Sequence, residues 1–143
     1  MVDVGDKTAT ARSATATATV HTTAEVIDLI SAGGLPKGDA LATARVAGIM
    51  AAKRTSELVP LCHQLALSAV EVEFAIGPAA VVLTASARTT DRTGVEMEAL
   101  TAASVAALTV YDMIKALDPA ARIDGIQLLR KEGGKTGVWT RDR

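Results

Sequence analysis

Aromatic side chains make up only 2% of the 143 residues, one Trp, one Tyr and one Phe. The chain therefore lacks the stacking platforms on which single-stranded nucleic acids are held, and any core must be built from Ala, Val, Leu and Ile. Cysteine is nearly absent. Cys62 stands alone, which excludes an intrachain disulfide and a thiolate metal cluster. His21 and His63 are too few and too far apart in sequence to give the spacing of a zinc site, so no metal ligands are expected. Nor is there an excess of one charge sign. The formal net charge is −1 and basic residues dominate no long block, which argues against a general nucleic-acid binder. No uninterrupted apolar run reaches the length of a membrane span, and MVDVGDKTATAR has no signal-peptide core, so a cytoplasmic location is expected.

What the chain does have is an apolar fraction of 49%, much of it Ala, in a length that suits one domain with a single core. The stretch from Gly94 to Lys115 reads as its central helix, with Thr93 as a candidate cap. Leu100, Ser104, Leu108 and Tyr111 form one stripe of it. A second stripe runs through Glu98, Thr101, Val105, Thr109 and Asp112, with carboxylates at both ends and small or β-branched residues between. Small uncharged residues are unusual on a solvated face, so another element is expected to pack there. Glu98 and Asp112 are fourteen residues apart, roughly 21 Å along a helix axis. One small substrate cannot easily touch both, and each acid would belong to a site completed by other segments, a neighbouring subunit among them.

Residues 1 to 12 are polar and expected to be mobile, with Arg12 either an anion contact or an ordinary solvated arginine. Ala14 to Val20 alternates with period two and predicts a strand. A helix follows over Glu25 to Ser31, started by Thr22 or Thr23 and stopped by Gly33 and Gly34, after which a Pro-Gly turn displays Lys37 on a loop. Asp39 caps a further helix, predicted to run to about Leu58 with Lys53 and Arg54 near its end, where cations also suit the helix dipole. In VPLCHQL, Cys62 and His63 are sequence neighbours whose side chains point apart, so they do not make a nucleophile–base pair, and Cys62 reads as structural.

Residues 66 to 76 and AVVLTASAR predict a hairpin turned at Gly77 and Pro78, with Leu67, Ala69, Glu71 and Glu73 on one side and Val70, Val72 and Phe74 on the other. Pro119 ends the long helix, and Ile123 to Leu129 is the last predicted strand. The tail RKEGGKTG sets Lys131 and Lys135 around two glycines, where backbone amides and an ammonium can approach a phosphate together. The predicted order is that of the split βαβ arrangement, an α+β, ferredoxin-like sandwich with a four-stranded antiparallel sheet and helices on one face. Its open face and the small-residue stripe point to self-association. Asp112 and Lys115, three apart on one helix, are neighbours able to act as acid and base if desolvated. Glu96 and Glu98 sit where the helix dipole favours anions. The residues alone lead to an oligomeric enzyme or binding module for a phosphate ligand.

KGDALATARVAGIMAAKRTSELVPLCHQLALSAVEVEF, TGVEMEALTAASVAALTVYDMIKA and the terminal GGKTG together resemble the cyclic pyranopterin monophosphate synthase family of molybdenum-cofactor biosynthesis, from MVDV to GGKTG without large insertions. The resemblance implies a lyase that converts 3′,8-cyclo-7,8-dihydro-GTP to cyclic pyranopterin monophosphate with loss of pyrophosphate. It implies no redox cofactor, with Mg²⁺ at most accompanying the substrate, and a homohexamer, a trimer of dimers, with active sites between subunits. It gives Asp112, Lys115 and Lys53 catalytic roles, and substrate-binding roles to Leu61, Cys62, His63, Glu96, Met97 and Glu98. Lys37, Arg12 and Lys135 would contact the triphosphate. The chain departs from the family pattern at Gln64, commonly Pro, and at Arg92, commonly Lys. Arg92 keeps the charge but not a lysine's accessible pKa, which suits phosphate contact rather than proton transfer. A nucleotide-sensing module or an inactive paralogue is the competing class. A sensor has no need of Asp112 beside Lys115, and the inactive-paralogue reading rests on the two departures.

Overall fold

The computed structural model describes residues 1–142. The elements are β1 (Thr10–His21), α1 (Ala24–Ala32), α2 (Ala40–Ala52), α3 (Thr55–Leu58), β2 (Leu67–Ile76), β3 (Ala80–Asp91), α4 (Glu96–Ile114), β4 (Arg122–Glu132) and β5 (Trp139–Thr140). The sheet has the order β2-β3-β1-β4-β5, and every neighbouring pair is antiparallel. Its first four strands form the predicted ferredoxin-like sheet, and the two-residue β5 adds a fifth at the edge of β4. Strand β1 begins at Thr10, four residues before the predicted start, so Thr10 and Arg12 are part of the sheet.

The alternation in β1 sorts its residues as expected. Ala14, Ala16, Ala18 and Val20 are buried, as are Val81, Leu83, Ala85 and Ala87 of β3. Alanine on the strands is matched by alanine on α4, where Ala99, Ala102, Ala103, Ala106 and Ala107 are fully buried. Small side chains on both surfaces let helix and sheet approach closely, which compensates in packing for the missing aromatics. Helix α2 crosses α4 on the same principle. A Cβ on Gly48 would stand 2.9 Å from the carbonyl oxygen of Ala102 and 3.2 Å from the Ala106 methyl, so only glycine fits the crossing. The closest helix contact therefore uses the alanine stripe. Thr101, Val105 and Thr109, expected to meet another element, are only half-buried in the single chain. By length and composition α4 also resembles a membrane span, but half of it is buried in this core.

Three local readings need correction. The expected helix to Leu58 divides at Lys53 and Arg54, where the chain tightens into three-residue turns (Arg54 amide to the Ala51 carbonyl at 2.9 Å, Glu57 amide to the Arg54 carbonyl at 3.0 Å) and the buried Thr55 hydroxyl donates to the Ala52 carbonyl at 2.9 Å. The N-cap of α4 is Val95, with no side-chain cap, rather than Thr93. In β2 a bulge after Leu67 sets Leu67 opposite Thr89 and Ala69 opposite Arg88, which moves Leu67 to the side of Val70 and Val72. Elsewhere the start signals hold: Asp39 Oδ1 accepts from the Ala42 amide at 3.0 Å and Thr23 Oγ1 from the Val26 amide at 3.3 Å.

Candidate active site

Helix α2 runs antiparallel to α4, and its two flanking loops reach opposite ends of that helix. The loop before α2 places Lys37 at the C-terminal end of α4, where its ammonium lies 2.9 Å from Asp112 Oδ2 and 3.1 Å from the Asp112 carbonyl. The segment after α3 brings Leu61, Cys62 and His63 to the other end, beside Met97 and Glu98. These candidate site residues thus collect at two ends of one helix.

At the N-terminal end lie two cavities that share Lys7, Thr93, Gly94 and Glu96. The larger, about 820 Å³, is bounded by the start of β1, the turn before α4 and the loop after β4, and takes Lys7, Arg12, Lys131 and Lys135 into its wall. Lys131 donates to Glu96 Oε1 at 3.1 Å. The smaller, about 390 Å³, is lined by Val2, Val4, Leu61, Leu65 and Met97 together with Cys62, His63 and Glu98. The larger compartment sets four cations against the carboxylates of Asp6, Glu96 and Glu132, a lining with a small positive excess, and the smaller is more apolar and of a size for a fused ring.

Burial shifts two ionisable groups of the smaller cavity toward their neutral forms. Glu98 is 4% exposed, and burial, reinforced by the nearby Glu96 carboxylate, pushes its pKa up against a backbone hydrogen bond that lowers it. Burial and the Glu98 charge push the Cys62 thiol up as well, so it stays protonated and a weak nucleophile. His63 Nε2 lies 2.8 Å from the Val2 carbonyl. A carbonyl only accepts, so Nε2 carries a proton and donates it to Val2.

The opposite end is ionic. Asp112 accepts from Lys115 at 2.7 Å as well as from Lys37, and these two hydrogen bonds hold its carboxyl down at about 2. The same bond and the Asp112 charge raise the Lys115 ammonium. All three side chains are about half exposed (46–52%) and lie on the wall of neither cavity.

The MoaC family model matches residues 1–134. The chain belongs to the MoaC family. It is 67% identical over 141 residues to "Cyclic pyranopterin monophosphate synthase 2" of Mycobacterium tuberculosis (strain ATCC 25618 / H37Rv), covering 99% of this chain and 84% of that protein. It is 57% identical over 141 residues to "Cyclic pyranopterin monophosphate synthase" of Streptomyces coelicolor (99% and 83% covered), and 58% identical over 144 residues to the protein so named in Chloroflexus aggregans (99% and 87% covered).

For this MoaC chain, the fold brings Arg12, Glu96 and Lys135 together in the larger cavity and Leu61, Cys62, His63, Glu96, Met97 and Glu98 in the smaller one. Asp112 and Lys115 meet, but Lys53 does not join them. It caps the C-terminal end of α2, the end remote from Lys37. Lys37, expected at the triphosphate, stands at Asp112 instead. Arg92 is on neither cavity wall, although its carbonyl faces Arg12. Sequence reasoning set Lys131 beside the tail glycines as a possible phosphate contact but not among the residues that the family resemblance implies, and it expects the last strand to end at Leu129. Two more residues of strand carry Lys131 to Glu96. Lys7, which borders both cavities, precedes every predicted element and left no periodic signal.

Proposed function

We propose that this chain is a cyclic pyranopterin monophosphate synthase, converting 3′,8-cyclo-7,8-dihydro-GTP to cyclic pyranopterin monophosphate and pyrophosphate in molybdenum-cofactor biosynthesis. The observation that carries this reading is identity of 57–67% across nearly the whole chain to proteins bearing that name. The two joined cavities support it. Lys7, Arg12, Lys131 and Lys135 offer charge to a triphosphate, with Mg²⁺ travelling on the substrate. The neighbouring apolar compartment accepts the purine-derived rings, with Glu98 and His63 as hydrogen-bonding groups. No resident cofactor is required. A substrate hydroxyl attacks the α-phosphorus, the bond to the β-phosphate breaks, and pyrophosphate leaves with its charge neutralised by the cations of the wall.

Proton transfer during ring opening and closure falls to Asp112, Lys115 and Lys37. Because the pair is ionic, Lys115 enters as a proton donor and Asp112 as the group that keeps it charged and oriented. This cluster is remote from the cavities in one chain, so the complete site is read as forming between two copies. Exposed Met97 and Leu108 on α4, and Val46 and Met50 on α2, supply apolar surface for that contact. A homohexamer built as a trimer of dimers and working in the cytoplasm fits this reading. The cluster also weighs against a nucleotide sensor, which has no use for a proton donor.

The test is release of pyrophosphate and formation of pterin from purified cyclised dihydro-GTP. Asp112→Asn and His63→Ala are each expected to be inactive, and refolding them together should restore about a quarter or more of wild-type turnover through mixed sites. Lack of turnover by assembled wild type would remove the catalytic reading. Activity lost in both variants with no recovery on mixing would remove the shared site.

A further inference from the structure

In the larger cavity, Arg12 is not a free surface arginine. Its Nε donates to Thr10 Oγ1 at 2.9 Å, and its Nη2 makes a long, 3.5 Å contact with the Arg92 carbonyl. Thr10 and Arg12 are two apart in β1 and so point to the same side of the sheet. The loop after β4 folds down upon this pair. Gly133 and Gly134 have φ of +96° and +76°, and the loop is held to itself by the Gly133 amide donating to the Gly137 carbonyl at 3.1 Å. A Cβ on Gly134 would lie 2.5 Å from Arg12 Nη1 and 3.1 Å from Cζ. The guanidinium is thus bounded by Thr10 at one edge and by a glycine backbone at the other.

We infer that Thr10 and Gly134 are positioning residues that fix the Arg12 guanidinium as a preset clamp for the oligophosphate of the substrate. Thr10 is exposed at the start of β1 opposite Asp91, with its hydroxyl on Arg12, and Gly134 combines the positive φ of the turn with a close approach to the same guanidinium. A guanidinium has five N–H donors. Thr10 takes the single Nε hydrogen and Arg92 one on Nη2, which leaves three for an anion, including both on Nη1. Fixing the side chain beforehand removes the ordering cost that a flexible arginine meets on binding. The bare backbone of Gly134 lets the loop lie against the guanidinium, whereas a methyl there would displace it. Gly133 has a different role, because its Cβ would lie 2.4 Å from the Ala11 carbonyl and would disturb the strand itself. The inference rests on the triphosphate being read into this cavity.

The test uses the full-length protein, steady-state kinetics on cyclised dihydro-GTP, and calorimetric binding of inorganic tripolyphosphate. Thr10→Val keeps the shape of the side chain and loses the acceptor. It should raise KM and the tripolyphosphate Kd about tenfold with kcat within twofold, and Thr10→Ser should restore both. Gly134→Ala should move KM and Kd in the same direction. In an Arg12→Ala background, Thr10→Val should add nothing. An unchanged Kd in Thr10→Val, an equal further loss without Arg12, or a wild type that does not bind tripolyphosphate would overturn the inference. A wild type that binds tripolyphosphate and follows this cycle but turns over no substrate would uphold the clamp while removing the lyase.

Discussion

The two ends of α4 are built from the same kinds of residue and treat them in opposite ways. At the N-terminal end, Glu98 is nearly sealed, raised in pKa and surrounded by walls from several segments of the same chain. At the C-terminal end, Asp112 is half exposed, lowered to about 2, and held by two lysines on an open surface. An exposed ion pair contributes little to stability. A cluster of three charges fixed at 2.7–2.9 Å with no wall around it is therefore poorly explained as a structural device. One end has the two cavities, and the other has the Asp112 cluster outside both of them. Helix α2 ties them together, since its leading loop carries Lys37 to one end and its trailing segment carries His63 to the other.

Removing the ionic end should have the largest effect. Asp112→Asn is expected to lower kcat by about 10²–10⁴-fold, with the fold intact by circular dichroism and tripolyphosphate still bound. Lys37→Ala should fall in the same range, and Lys53→Ala within about threefold. The reverse ranking of the two lysines would return catalysis to the far end of α2. With its carboxyl lowered, Asp112 stays ionised above pH 4, and the stability it contributes is present there and lost only as pH falls toward 2. An acid limb in the kcat/KM profile near neutral pH would therefore belong to another group.

Separating the two helices should weaken both ends together. In Gly48→Ala the added methyl meets backbone at 2.9 Å and the Val72 side chain at 3.1 Å, and overpacking of this kind costs about 1–3 kcal/mol. The melting temperature should fall by several degrees, and both KM and kcat should worsen, because Lys37 and His63 shift with α2. A change confined to KM would mean that the two loops hold their positions independently of the helix between them.

The four main strands and long helix were legible because periods of two and 3.6 survive in a chain with few competing signals. Strand β5 was not, since Trp139 and Thr140 are too short a run to show alternation. The break at Thr55 and the bulge near Ser68 depend on local hydrogen-bonding choices that periodicity does not carry. The same limit applies to the site. Family motifs named half of the smaller cavity's wall but only Arg12, Glu96 and Lys135 of the larger one, and which lysine stands at Asp112 follows from the antiparallel path of α2. Lys37 and Lys53 are equally plausible in sequence and lie at opposite ends of one helix in space.

The smallest expected effect probes the sealed end. Burial raises Glu98 above the ordinary carboxylate range, so its favourable, neutral form is fully present below about pH 4, and stability is lost as pH rises through the folded-state pKa. Glu98→Gln keeps the shape and cannot ionise. Its melting temperature should exceed that of wild type by about 2–4 °C at pH 8, with the difference vanishing near pH 4. The same substitution removes the charge that helps to raise Cys62, so the thiol should titrate lower, though still above its ordinary value because burial remains. Thiol alkylation against pH reads this directly. A Glu98→Gln protein with no stability gain at high pH and an unmoved Cys62 would mean that Glu98 is solvated after all, and the contrast between the two ends of α4 would then be one of shape alone.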